Sequence, residues 1–234
     1  MPSFLQSPEV QEAWQIICSQ FPLALWETFF VTLASTAISF LVGLPLGVLL
    51  VTGEPTGIRP LPAWLMALLN TVINIMRSMP FLILMILVFP LTRFIVGTIV
   101  GTTASIVPLV IAAFPFVARL VESSLREVNP NLVEMAQSLG ATPTQIVSRV
   151  MIPECIPSLI SNATIAITTI LGYSAMSGII GGGGLGKIAI NYGYYRYRYL
   201  IMLLAVVVLL ALVQLFQSVG TRLAIRLDRR IRNR

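Results

Sequence analysis

Apolar residues run through this chain in long unbroken stretches. Five stand out, over residues 26–51, 62–89, 99–120, 156–180 and 199–220. None alternates apolar with polar positions as a lipid-facing barrel strand must. Each is long enough to cross a hydrocarbon core of about 30 Å as an α-helix, at roughly 1.5 Å per residue. The pattern predicts an all-α integral membrane protein with five transmembrane helices. Composition agrees. Of 234 residues, 56% are hydrophobic and 10% charged, and mean hydropathy is +0.90. A soluble domain carries about 25% charge, and a disordered chain is never this apolar.

Five spans place the termini on opposite sides of the membrane, and the basic residues choose which. With the N-terminus outside, the cytoplasmic segments hold Arg59, Arg119, Arg126, Arg149 and the six arginines after residue 221, ten in all, against Arg93, Lys187, Arg196 and Arg198 outside. The positive-inside rule selects that orientation. It predicts an extracytoplasmic segment 1–25, a transmembrane domain 26–221 and a basic cytoplasmic tail 222–234. The tail and the net charge of +6 then read as a topology signal beside membrane lipid, and no nucleic-acid partner is expected. Tyr192, Tyr194, Tyr195, Tyr197 and Tyr199 fall at the outer interface, where aromatic residues gather. The start carries Glu9 and Glu12 and no basic residue before Arg59, so it lacks a signal peptide's positive opening and is expected to be retained.

Histidine is absent and the cysteines are Cys18 and Cys155, which removes the usual metal ligands and the base of a hydrolase triad. No metal, cofactor or catalytic residue is expected, and the orientation separates the cysteines, so no disulfide is expected either. Gly181 to Lys187 matches the spacing of a phosphate loop, and Gly181, Gly183 and Gly186 that of a dinucleotide turn. Both motifs need a preceding strand. Here a membrane helix precedes, and Ile188 stands where a magnesium-binding hydroxyl belongs. The glycines read instead as a flexible outer connection. Asn162-Ala163-Thr164 is a glycosylation sequon inside a span and is discounted. Gly43 and Gly47, four apart, suit close helix packing, with a kink at Pro45 as the competing reading. Asn70, Asn74 and Arg77 share one helix face. Polar groups there read as a pore or gate lining, or as an arginine that snorkels or meets carbonyls loosened by Pro80.

The loop 122–154 is the most informative segment. Asn129 suits an N-cap and Pro130 the first helical position. Leu132, Met135, Ala136 and Leu139 recur at helical spacing. Gly140 can adopt the left-handed backbone that ends a helix, Thr142 and Gln145 are spaced as a capping box, and Pro153 is expected to stop the second helix. Two short helices joined at a glycine elbow read as a structured loop or as a docking element.

The order Glu134-Met135-Ala136, three residues, Gly140, nine residues, Val150-Met151-Ile152-Pro153 closely resembles the loop signature of ABC importer permeases, E-A-A, three residues, G, nine residues, I-x-L-P. From Trp26 to Arg230 the chain further resembles the permease subunit of the methionine importer family. The resemblance rests on Trp26-Glu27-Thr28, on the stretches 43–50, 74–81, 113–119 and 139–147, on Gly172-Tyr173-Ser174-Ala175-Met176-Ser177-Gly178, and on Gly183-Gly184-Leu185-Gly186. It implies a type I importer permease fold in a bacterial inner membrane. Its implied partners are a second copy of this chain, two ABC ATPase subunits and an extracytoplasmic substrate-binding protein, with hydrolysis in the ATPase chain. It makes Glu134, Met135, Ala136, Leu139 and Gly140 a coupling helix, with Ala136 small enough for close approach to the ATPase. It also turns Tyr173, Ser174 and Met176, which the residues alone read as ordinary helix packing, toward a translocation lining with Asn74 and Arg77. Methionine rests on the resemblance alone, and another amino acid or small solute is the alternative. A membrane-embedded enzyme lacks paired carboxylates here, and a free-standing channel would leave the punctuation of 129–153 without a purpose.

Overall fold

The computed structural model describes residues 8–228, and every regular element among them is helical. In chain order these are α1 (Pro8–Thr52), α2 (Ala63–Ser78), α3 (Phe81–Leu87), α4 (Phe89–Val96), α5 (Thr102–Arg126), α6 (Pro130–Ser138), α7 (Pro143–Ile146), α8 (Ile152–Glu154), α9 (Ile156–Ser177), α10 (Gly184–Ile188) and α11 (Tyr199–Leu227). Four helices are long and apolar enough to cross a membrane, and the count reaches five if the α2–α3 pair is one span.

The fourth and fifth apolar runs start where the pattern predicts. The other elements depart from it for identifiable reasons. The run over 62–89 is broken rather than continuous. Met79 takes extended backbone (φ −78°, ψ 131°), as the residue before a proline is driven to do, and Pro80 ends α2. The first helix begins by Pro8 and passes residue 25 without a break. At 45 residues it is about 68 Å long, more than twice a hydrocarbon core. Residues 1–7, and Arg229, Arg230, Arg232 and Arg234 of the tail, lie outside the described residues, while Arg222 and Arg226 belong to α11.

The chain divides into two compact units. The first comprises Met1–Thr36, Phe81–Val110 and Ile167–Leu215. Its buried side chains include Phe21, Val31, Leu84, Leu109, Ile170, Leu185 and Ile201. The glycine-rich turn lies here and is held at its Gly184–Leu185 end. Glu27 of α1 accepts from the Gly184 amide (2.7 Å) and from the Thr102 hydroxyl (2.8 Å), and Thr28 Oγ1 accepts from the Leu185 amide (2.9 Å). Gly184 sits at φ +83°, open to glycine at little cost. The expectation of a flexible connection is therefore corrected, because side chains 157 residues away cap it. The Gly184 amide, the kind a bound phosphate would need, is taken by the Glu27 carboxylate. Glu27→Ala leaves that amide without its acceptor, worth about 1–3 kcal/mol. Hydrogen exchange across residues 181–188 is expected to accelerate roughly 10- to 100-fold.

The second unit comprises Ala37–Pro80, Ile111–Ala166 and Phe216–Arg234. Its core gathers Val117, Val121, Leu125, Ile146, Met151 and Ala166. α1 meets α5 closely here, because a Cβ on Gly43 would lie 2.7 Å from Val117 Cγ1 and one on Gly47 only 2.6 Å from the Ala118 carbonyl. Packing, rather than the kink, is thus the use of this glycine pair. Asn162 of α9 donates to the Leu120 carbonyl (3.0 Å) and Ser124 Oγ (2.7 Å), so the sequon's amide serves helix packing. Cys18 and Cys155 are both free thiols, and burial pushes the Cys155 thiol up to about 11, which keeps it neutral and unreactive.

Candidate functional site

The punctuation of 129–153 builds two helices as local chemistry dictates. Asn129 Oδ1 accepts from the Asn131 amide (3.0 Å), and Pro130 opens α6. At its far end the Ala141 amide bonds the Ala136 carbonyl (3.1 Å) and the Gly140 amide bonds Gln137 (2.9 Å). With Gly140 at φ +78°, this is the Schellman ending that a left-handed glycine permits. Thr142 and Gln145 exchange both bonds of a capping box. Pro153 does not stop the second helix. α7 passes through a π-helical stretch, Val147–Met151, into α8. The Ile152 amide closes that looser stretch on the Val147 carbonyl, five residues back.

Two faces of α6 then separate. Ala136 is 7% exposed and joins the second unit's core with Ile146 and Met151. The expectation that Ala136 approaches an outside partner is corrected: its small size brings α6 down onto its own chain. Met135 (56% exposed) and Leu139 (80%) project the other way. Long apolar side chains this open on a nine-residue helix are what a partner groove requires. Glu134 is exposed and lines a cavity of about 360 Å³ with Glu54, Thr56, Arg126 and Gln137.

The predicted pathway residues fall in both units. In the second, Asn70 and Asn74 on α2 accept from Arg119 of α5 at 2.7 and 3.1 Å, and Arg77 is exposed one turn further on. Arg119 therefore lies inside a membrane-length helix rather than in the loop to which the charge count gave it. Glu122 binds Arg119 (2.7 Å) and Arg126 (2.8 Å), and Arg126 also pairs with Glu54. Sequence reasoning missed this network. Its signal was the alternating charge of Arg119, Glu122 and Arg126, at spacings that share a helix face. In the first unit, the Tyr173 ring stacks on Phe81 (centroids 4.7 Å apart, planes 4° from parallel). Ser174 is buried, and its hydroxyl donates to the Leu171 carbonyl (2.8 Å). Gly172, Met176 and Ile179 form an exposed ridge at helical spacing, and space is open above Gly172. Of the set in this unit, Tyr173 and Met176 have surface to offer a solute, whereas Ser174 faces its own helix.

A chain with membrane-length helices and a short capped helix that exposes Met135 and Leu139 has a family counterpart. Residues 43–233 match the model of the binding-protein-dependent transport system inner membrane component. The chain belongs to that family. The permease is 50% identical over 208 residues to the probable D-methionine transport system permease protein MetI of Vibrio cholerae, covering 88% of this chain and 92% of that one. It is 43% identical to the Haemophilus influenzae protein of the same name, covering 93% and 100%. Among solved structures it resembles a chain of the MetNI methionine ABC transporter in inward-facing form, with TM-score 0.87, 44% identity and coverage of 89% and 96%. The permease thus has the architecture of an ABC importer's membrane subunit.

Proposed function

We propose that this permease is the membrane-spanning subunit of an ATP-driven methionine importer. The observation that carries the reading is its match, over nearly their whole length, to relatives named as D-methionine permeases. The chain performs no reaction of its own. Two copies pair around the pathway, each receives an ATPase subunit on α6, and a binding protein delivers methionine from outside a bacterial inner membrane. The N-terminus faces outward and the basic end of α11 faces the cytoplasm, among anionic lipid headgroups. ATP binding draws the ATPases together and hydrolysis releases them. Met135 and Leu139 seat α6 on the ATPase, and Gly140 fixes the elbow that turns its displacement into movement of the spans. The pathway then alternates between two states whose populations ATP shifts.

Along that pathway, Met176 and Tyr173 offer a polarisable thioether and an aromatic ring, groups that pack well against methionine's own sulfur. Asn74 and Arg77 supply polar surface on α2. The test is uptake of labelled D- and L-methionine by cells without a high-affinity methionine importer, given this chain with its ATPase and binding protein. Saturable uptake of either enantiomer is expected, with half-saturation at least tenfold below that of other amino acids offered. Transport of another amino acid with methionine ignored would overturn the substrate.

A further inference from the structure

The second unit contains one continuous series of charge-assisted bonds. Arg126 donates from Nη1 to Glu54 Oε2 (3.2 Å) and from Nη2 to the other oxygen of that carboxylate. The same guanidinium reaches Glu122 Oε1 at 2.8 Å. Glu122 Oε2 accepts from Arg119 Nη1 (2.7 Å), and Arg119 Nη2 ends the series on Asn70 and Asn74 of α2. One end thus lies at Glu54, which shares a cavity wall with Glu134 and Gln137 of α6, and the other lies on α2.

Stability alone does not explain the series. For the mostly buried Arg119–Glu122 pair, with side chains 21% and 11% exposed, apolar replacements are often as stabilising, and charges within a membrane-length helix are costly unless they have work to do. The hold on α2 is also thin. Of its 16 residues only Met66 and Ile73 are buried, so the two bonds from Arg119 form much of its polar fastening. Arg119 Nε is buried without an acceptor. A donor left unmet in a native interior calls for an explanation.

We propose that Arg119 is a positioning residue that, with Glu122, Arg126 and Glu54, passes displacement of α6 to α2 without touching solute. The inference rests on the importer reading. The two arginines and two carboxylates cancel in charge, so the series can move as a unit with little change in field. α2 carries Asn74 and Arg77 and leads into Pro80, so its shift is delivered to the part of the chain proposed to line the pathway.

The test uses the complete complex with its ATPase and binding protein in proteoliposomes, and reads methionine accumulated per ATP hydrolysed. Asn70→Leu removes the shorter bond of the last step (2.7 Å) with a side chain a membrane helix accepts and leaves Asn74 in place, and Glu122→Gln breaks the middle. Each is expected to preserve assembly and hydrolysis while accumulation per ATP falls about tenfold. The double variant is expected to be no worse than the worse of the two, because steps in one series do not add. Unchanged accumulation per ATP in Asn70→Leu, or multiplying losses in the double variant, overturns the relay. If Glu122→Gln fails to assemble, Asn70→Leu decides alone. Should the unsubstituted complex accumulate no solute, the importer reading falls and takes the relay with it. An unsubstituted complex that works, beside variants that work equally well, removes the relay only.

Discussion

Met135→Glu combined with Leu139→Glu is expected to release the ATPase subunit from a permease that otherwise folds as before. Both side chains are more than half exposed, so the chain's own core loses nothing. In a partner groove each would contribute about 1.5–3 kcal/mol on burial, and a carboxylate in its place must be desolvated at further cost. The pair together withdraws roughly 3–6 kcal/mol, or about 100-fold or more in affinity. Co-purification on a tagged ATPase reads the loss. Ala136→Glu provides the contrast. Ala136 is buried in the second unit's core, so its substitution detaches α6 from its own chain and exposes residues 129–153 to protease. The double variant keeps them protected. A double variant that still co-purifies at native level would move the docking surface away from α6.

The second large effect concerns α1 against α5. Gly47→Val is expected to lower the melting temperature of the detergent-purified permease and its yield in membranes. The added Cβ meets the Ala118 carbonyl and Val121 Cβ at 2.6 Å, and neither a backbone carbonyl nor a β-branched carbon can swing aside. Forcing side-chain volume into such a contact costs about 3 kcal/mol, the upper end for overpacked interiors. Gly172→Ala serves as control, since a Cβ there meets nothing within 4 Å. It is expected to leave the melting temperature unchanged or slightly raised, because alanine is the better helix former by about 0.5–1 kcal/mol. Equal losses in both variants would mean that the contact at Gly47 is not what sets the stability.

What the sequence reveals here depends on how far apart the interacting residues lie. The two loop helices were legible because Asn129 with Asn131, Gly140 with Gln137 and Thr142 with Gln145 all interact within three residues. The span of α9 was legible because an apolar run of that length has few other uses. The break at Met79–Pro80 was obscured because hydropathy sums side chains and is blind to the backbone effect of proline. α1 extends back to Pro8 through residues too mixed to read as a span, yet Ile16, Phe21 and Ala24 are buried and Gln20 donates to the Tyr192 hydroxyl (2.8 Å). The apolar stripe of α6 was visible, but periodicity does not say which neighbour receives each residue, and Ala136 turned inward while Met135 and Leu139 turned out. The glycine turn looked loose because its caps, Glu27 and Thr28, are far away in the chain. The charged series was hidden for the same reason: Arg119 meets Asn70 and Asn74 across 49 and 45 residues.

The central claim is that this chain moves methionine only when an ATPase drives it. The most direct measurement is methionine accumulation in proteoliposomes holding the permease, its ATPase and the binding protein, with ATP on the ATPase side, compared with the same complex carrying Gly140→Arg. Gly140 sits at φ +78°, where a side chain costs about 1–2 kcal/mol and disturbs the elbow that follows α6, the helix proposed to couple to the ATPase. ATP-dependent accumulation in the native complex, lost when ATP is omitted and reduced about tenfold or more in the variant, is the result expected. Methionine entry that proceeds equally without ATP, or without the ATPase, would contradict the account.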